Sequence, residues 1–210
     1  MSPLVLAGLF LVAGLVVSWV GGFLLFFGRD AARAALFPLL FLAFTIPIPE
    51  PVIDSATQVL KNGSTETVAG LFTLTGTPYH RDGFVFALPG FFIEVADECS
   101  GIRSSIALLL TGLLSGHVFL RDSWAKTCVI AAVLPITILK NGIRIVTLSL
   151  LAMHVDPGFL TGQLHHEGGI VFFLLGLLIL APILVLLRKS EVRFAKAGTI
   201  GSIQVGTDVS

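Results

Sequence analysis

The chain has 210 residues, of which 55% are hydrophobic and only 12% charged, and its mean hydropathy is +0.96. A soluble domain carries roughly a quarter of its residues as charges, so this composition excludes an ordinary water-soluble fold and points to a bundle of helices in lipid. A net charge of zero gives no reason to expect nucleic acid as a partner, and two cysteines, Cys99 and Cys128, are too few for a disulfide framework.

Crossing a hydrocarbon core takes about 20 helical residues. The first predicted span is 3–27, which has no charge inside it. It lacks the basic leader region and small-residue cleavage site of a signal peptide, so it reads as a retained helix. The next apolar run, 34–48, is short and leads into Pro47, Pro49 and Pro51, so it either crosses or re-enters. An outer loop follows over 49–98, within which 51–74 is mixed in polarity and reads as an amphipathic helix along the interface. Three further spans are predicted at 102–120, 125–152 and 169–187, the last being the cleanest. The expected fold is all-α: one integral membrane domain over 1–197 with about five spans, then a disordered cytoplasmic tail over 198–210.

Basic residues near span ends set the orientation. Arg29, Arg33, Arg121, Lys126, Arg188, Lys189, Arg193 and Lys196 all fall on one side if the run at 34–48 crosses. That side is then the cytoplasm, and the N-terminus is outside. The opposite side holds the acid-rich loops, with Glu50, Asp54, Glu66, Asp82, Glu94, Asp97, Glu98, Asp156 and Glu167.

With this topology the unusual polar residues gather at one level near the outer leaflet. Cys99 and Ser100 sit at the outer end of the 102–120 span, with Arg103 one turn in. Asn141 and Arg144 share a helix face near the outer end of the 125–152 span. His165 and His166 precede the last span. Ionisable groups inside a membrane cost a few kcal/mol each and mark functional sites. A thiolate is the attacking form of cysteine and a nearby cation such as Arg103 favours it. A His can carry a proton during acyl transfer, and an Arg can hold the oxyanion. Asn141 could orient a partner. Taken singly, each has a plainer reading: a packing cysteine, arginines snorkelling to headgroups, solvated loop histidines. Convergence at one depth is what favours chemistry. Cys128 lies at the opposite end of its span, out of reach of Cys99, and reads as structural. Gly112 and Gly116 form a small-xxx-small pair suited to close helix packing. His165, His166 and Cys99 are possible metal ligands, but no spacing matches a closed zinc site, and no cofactor is implied.

The stretch Glu98-Cys99-Ser100-Gly101-Ile102-Arg103-Ser104 resembles the cysteine motif of the exosortase/archaeosortase family, membrane-embedded cysteine transpeptidases. Asn141-Gly142-Ile143-Arg144-Ile145 resembles its Asn-x-x-Arg motif, and Leu164-His165-His166-Glu167-Gly168-Gly169 its His motif. Gly76-Thr77-Pro78-Tyr79 and Leu88-Pro89-Gly90 match the family's outer loop, which implies strands or a hairpin there. The likeness covers roughly residues 30–188. It implies a nucleophile at Cys99, a transition-state arginine at Arg144 and a catalytic histidine. His165 is preferred for that role because it stands three residues before Gly168, with His166 as the alternative. The resemblance further implies partners: secreted proteins bearing a C-terminal tail of motif, transmembrane helix and basic cluster, cleaved at the outer face of the cytoplasmic membrane and passed to an acceptor, often where exopolysaccharide is made. Members of the family usually carry more spans ahead of the matched region. Two other classes compete. A non-enzymatic scaffold of a polysaccharide or protein export assembly would not need Cys99, and a transporter would need polar residues along the whole path, whereas the inner halves of the spans are almost wholly apolar.

Overall fold

Prolines and glycines set most of the element boundaries in the computed structural model, which describes residues 3–96, 102–156 and 163–205. Helix α1 (Pro3–Ala34) begins on a proline, whose missing N–H costs nothing at the first helical position. It is kinked at Gly28, where φ is 81° and ψ 176°, next to the predicted span end at residue 27. Helix α2 (Leu36–Phe41) and a 3₁₀ turn (Leu42–Thr45) follow, and the helix stops before Pro47 and Pro49 because the residue ahead of a proline is pushed out of the α region. The chain divides into two compact units, Met1–Ser55 and Ala56–Ser210. In the first, phenylalanines pair along the helices: Phe23 stacks on Phe27 at 4.8 Å, and Phe41 meets Phe44 at a tilt of 55° with 5.4 Å between ring centroids.

The second unit holds most of helix α3 (Glu50–Leu74), a meander of β1 (His80–Asp82), β2 (Val85–Leu88) and β3 (Phe91–Glu94), and helices α4 (Ile102–Phe119), α5 (Ser123–His154) and α6 (Gln163–Val205). Within the predicted outer loop 49–98 the chain thus forms a helix over Glu50–Leu74 and a small sheet from His80 to Glu94. Both sheet pairs are antiparallel, with Asp82 opposite Val85 and Leu88 opposite Phe91. Pro89–Gly90 closes the second turn: proline presets the first corner, and Gly90 takes the positive φ of 97° that the next position requires. Helix α6 continues through residues 198–205, where the sequence predicts a disordered tail. No proline follows Pro182, so nothing covalent interrupts the helical hydrogen-bond ladder there.

Four helices are long and apolar enough to cross a membrane, and a fifth crossing is present if the broken pair Leu36–Thr45 and Glu50–Leu74 counts as one span. The protein is therefore a polytopic helical membrane protein with a small sheet.

Contacts fix how the helices of the second unit run. Ser104 of α4 meets Lys140 of α5, while Gly116 lies against Lys126, so α4 and α5 are antiparallel. Gly176 of α6 faces Lys140, and Glu191 reaches Arg121 and Asp122, so α6 is antiparallel to α5 as well. Helix α3 runs parallel to α5: Gly63 meets Ile138, Ser64 meets Asn141, and Gly142 meets Thr67.

Two apolar clusters fill this bundle. One joins the sheet to the ends of α3 and α5, with Phe86, Leu88, Ile93 and Val95 packed on Val68, Phe72 and Val146. Phe72 meets Phe86 edge-on at 5.8 Å, an arrangement aromatic quadrupoles favour. The other, nearer the α4–α5 turn, joins Leu108, Leu120, Ala125, Val129, Val133, Ile136 and Leu180. At that end the Glu191 carboxylate, 9% exposed, accepts the backbone N–H groups of Arg121 and Asp122, the latter at 2.8 Å. Those donors precede α5 and would otherwise lack helical partners. Cys128 is free and exposed on the outside of α5, so it is not a packing residue of the core.

At Gly63 and Gly142, α3 and α5 pack tightly on each other. A methyl group on Gly142 would stand 2.5 Å from Thr67 Cγ2 and 2.9 Å from its Cβ. Gly142→Ala should therefore lower stability by about 1–3 kcal/mol through overpacking. Adding Thr67→Ser, which deletes the nearer carbon, should restore part of the loss. Thermal melting in detergent is the check, and an unchanged melting temperature for Gly142→Ala would contradict the contact.

Candidate functional site

Between the two apolar clusters α5 carries a polar stripe. Ile136 belongs to one cluster and Val146 to the other. Thr137, Lys140, Asn141 and Arg144 lie between them at helical spacings of three and four, on one face. Thr137, Lys140 and Asn141 are buried, with Lys140 and Asn141 each 2% exposed, and Arg144 is half-buried.

Neighbouring helices meet this stripe with small hydroxyl residues. Lys140 Nζ donates to Ser104 Oγ in the first turn of α4 at 2.5 Å. Asn141 Nδ2 donates to Ser64 Oγ of α3 at 3.0 Å, with both residues buried. The face that α3 turns inward is Thr57, Leu60, Lys61, Ser64, Thr65, Val68 and Phe72, mostly polar in its first half and apolar where the sheet covers it. Lys61 Nζ stands 4.4 Å from the centroid of the Phe84 ring, a cation–π contact that ties α3 to the sheet. Glu66 adds a second tie through a 2.8 Å ion pair with Arg81 of β1, and Arg81 Nε also donates to Gly83 O. Among the described residues Thr137 Oγ1 is buried with no hydrogen-bond partner, and an unpaired buried hydroxyl costs roughly 1–3 kcal/mol.

The sequence-predicted residues are distributed as follows. Cys99 and Ser100 lie outside the described residues, in the segment joining Ala96 to Ile102. Arg103 stands in the first turn of α4 and is exposed; the residue that this turn presents to α5 is Ser104. Asn141 and Arg144 share the inward face of α5, as expected. His165 and His166 stand in the first turn of α6, and their side chains lie outside the described residues. Gly176 faces Lys140, so on antiparallel helices His165 lies seven residues beyond the level of Arg144, about 10 Å at 1.5 Å per residue. Ser64, Lys61, Ser104 and Lys140 belong to the same layer and are not among the predicted site residues. Lys140 carried a signal, since an ammonium inside an apolar span needs a partner. The two serines carried none that spacing could show.

The arrangement is that of a multi-pass membrane protein with one buried polar level. This level lies at the first turn of α4, where the cysteine motif ends, while the start of α6 with the histidine motif lies farther along the bundle. A family model for transmembrane exosortases matches residues 2–182. The chain belongs to that family. No curated protein and no solved structure matches it.

Removing one partner from the buried Asn141–Ser64 pair isolates its contribution. Ser64→Ala strips the acceptor and should cost about 1–3 kcal/mol, whereas Ser55→Ala, at an exposed hydroxyl that bonds only within its own helix turn, should cost under about 0.5 kcal/mol. Melting of the two variants side by side is the check, and equal losses would remove the pair from the core of the structure.

Proposed function

We propose that the protein is a cysteine transpeptidase that cleaves the C-terminal sorting tails of secreted proteins at the outer face of the cytoplasmic membrane. One observation carries this reading: the family match over residues 2–182 contains all three motifs. Arg144 stands half-buried one turn after Lys140, which meets the first turn of α4 at Ser104. The orientation is supported by charge. Arg121, Lys126, Arg188, Lys189 and Arg193 gather at the bundle end opposite the sheet, as the positive-inside rule requires of a cytoplasmic end.

In this mechanism the Cys99 thiolate attacks the scissile carbonyl, and the tetrahedral oxyanion is held by the Arg144 guanidinium. Collapse breaks the C–N bond, and His165, or its neighbour His166, protonates the departing amine. The product is a thioester on Cys99. The acceptor nucleophile then gives its proton to the same histidine, attacks the thioester carbonyl and expels the Cys99 sulfur. Ser100 and Arg103 flank the nucleophile, and Asn141 fixes α5 against α3 through Ser64. The substrates are single-span proteins with a motif, a helix and a basic tail, and the chemistry uses no cofactor and no metal.

Co-expression with a secreted protein bearing such a tail, followed by its mobility shift, tests the reading. Cys99→Ala should abolish processing, and Cys128→Ala should leave it intact. Arg144→Gln should slow it by about 10²- to 10³-fold, the effect of losing one oxyanion donor. Undiminished processing by Cys99→Ala would overturn the nucleophile assignment and favour a scaffold role.

A further inference from the structure

Lys140 is absent from all three motifs, yet it is among the most buried charged residues described. Its side chain runs through the seam where α4, α5 and α6 meet: a methyl on Gly176 of α6 would stand 3.2 Å from Lys140 Cδ and 3.4 Å from Leu108 Cδ2. The ammonium then donates to Ser104 Oγ, 36 residues away in sequence. Burying a charge here is expensive, and a methionine of similar volume would pack without that cost. What a methionine would not supply is direction.

Direction matters toward the start of α4 because the constraint at the α4–α5 turn, where Glu191 accepts from Arg121 and Asp122, lies at the far end of the seam. Gly112 and Gly116 are the buried small residues of α4, and they face Val133, Val129 and the backbone at Lys126. Valine ridges against glycines hold two helices close but resist axial sliding weakly. A single buried polar contact is the best-attested device for choosing one register among several. A slip of one residue moves a helix about 1.5 Å along its partner, and a slip of one turn about 5.4 Å.

We propose that Lys140 is a positioning residue: its hydrogen bond to Ser104 sets the register of α4 on α5, and with it the height of the first turn of α4 relative to Arg144. The inference rests on the transpeptidase reading for its effect on turnover, and on packing alone for its effect on register. Misplacement of reacting groups by about 1 Å can cost about 10²-fold.

Two arms separate those consequences. In a background of Cys99→Ala and Cys128→Ala, the pair Gly112→Cys and Val133→Cys reports the native register by oxidative crosslinking, because Val133 Cγ2 stands only 3.1 Å from a methyl placed on Gly112. Adding Lys140→Met should reduce the crosslink yield by about twofold or more as other registers become populated, without lowering the melting temperature. In the otherwise native chain, Lys140→Met should cut kcat for tail processing by about 10- to 100-fold with KM little changed. Ser104→Ala should cut kcat likewise but also lower the melting temperature, because it leaves the buried ammonium without this acceptor, and adding Lys140→Met should recover that stability without a further loss of kcat. Unchanged crosslink yield in Lys140→Met overturns the register role. If the native chain processes no tail while the crosslink yield still falls, the transpeptidase reading fails and the register role stands.

Discussion

A polar group drawn into a helical bundle in lipid has no water to turn to, so it must be satisfied by another part of the protein. Much of the second unit can be understood from that constraint. Its inward-facing hydrogen bonds between helices concentrate at one level of α5, where Lys140 and Asn141 reach Ser104 and Ser64. Above this level the sheet supplies aromatic cover, and below it valine, leucine and glycine close the seam. The apolar clusters hold the helices together, while the polar level selects which helices meet and at what height.

This division explains why the site is placed where it is. Arg144 follows the polar level by one turn, at the edge of the sheet-covered cluster that includes Val146. It is half-buried. The ties from the sheet to α3, Lys61 over Phe84 and Glu66 with Arg81, brace the wall facing this region. In the proposed mechanism Arg144 faces a developing oxyanion, a task for which a guanidinium is most effective when its surroundings are fixed beforehand, and the packing around α5 would supply that fixity.

How much of this could be read from the sequence depended on whether a residue's role is local. The spans at α4, α5 and α6 were legible because each is apolar over the necessary length, and the Asn141–Arg144 face was legible because helical spacing alone aligns those residues. Helix α3 was harder. Its inward face carries Thr57, Lys61, Ser64 and Thr65, so its hydropathy describes a surface helix although its contacts are with α5. Ser104 and Ser64 were invisible because their partners lie 36 and 77 positions away, across a register that only the folded bundle defines. Cys128 showed the converse. Its place near the start of α5 follows from the sequence, but its exposure on the outside of that helix depends on how neighbouring helices are arranged.

The separation between Ser64 and Asn141 also has a meaning in time. When α3 leaves the ribosome its partner does not yet exist; at about 5–20 residues per second, synthesis takes roughly 4–15 s to reach Asn141. During that interval the hydroxyls and the ammonium on one face of α3 have no protein groups to satisfy them, and burying them in hydrocarbon alone would cost several kcal/mol. Water at the membrane surface is the available substitute. A helix with such a face is suited to the membrane surface before α5 exists, and in the finished bundle the same face is met by the Asn141 amide.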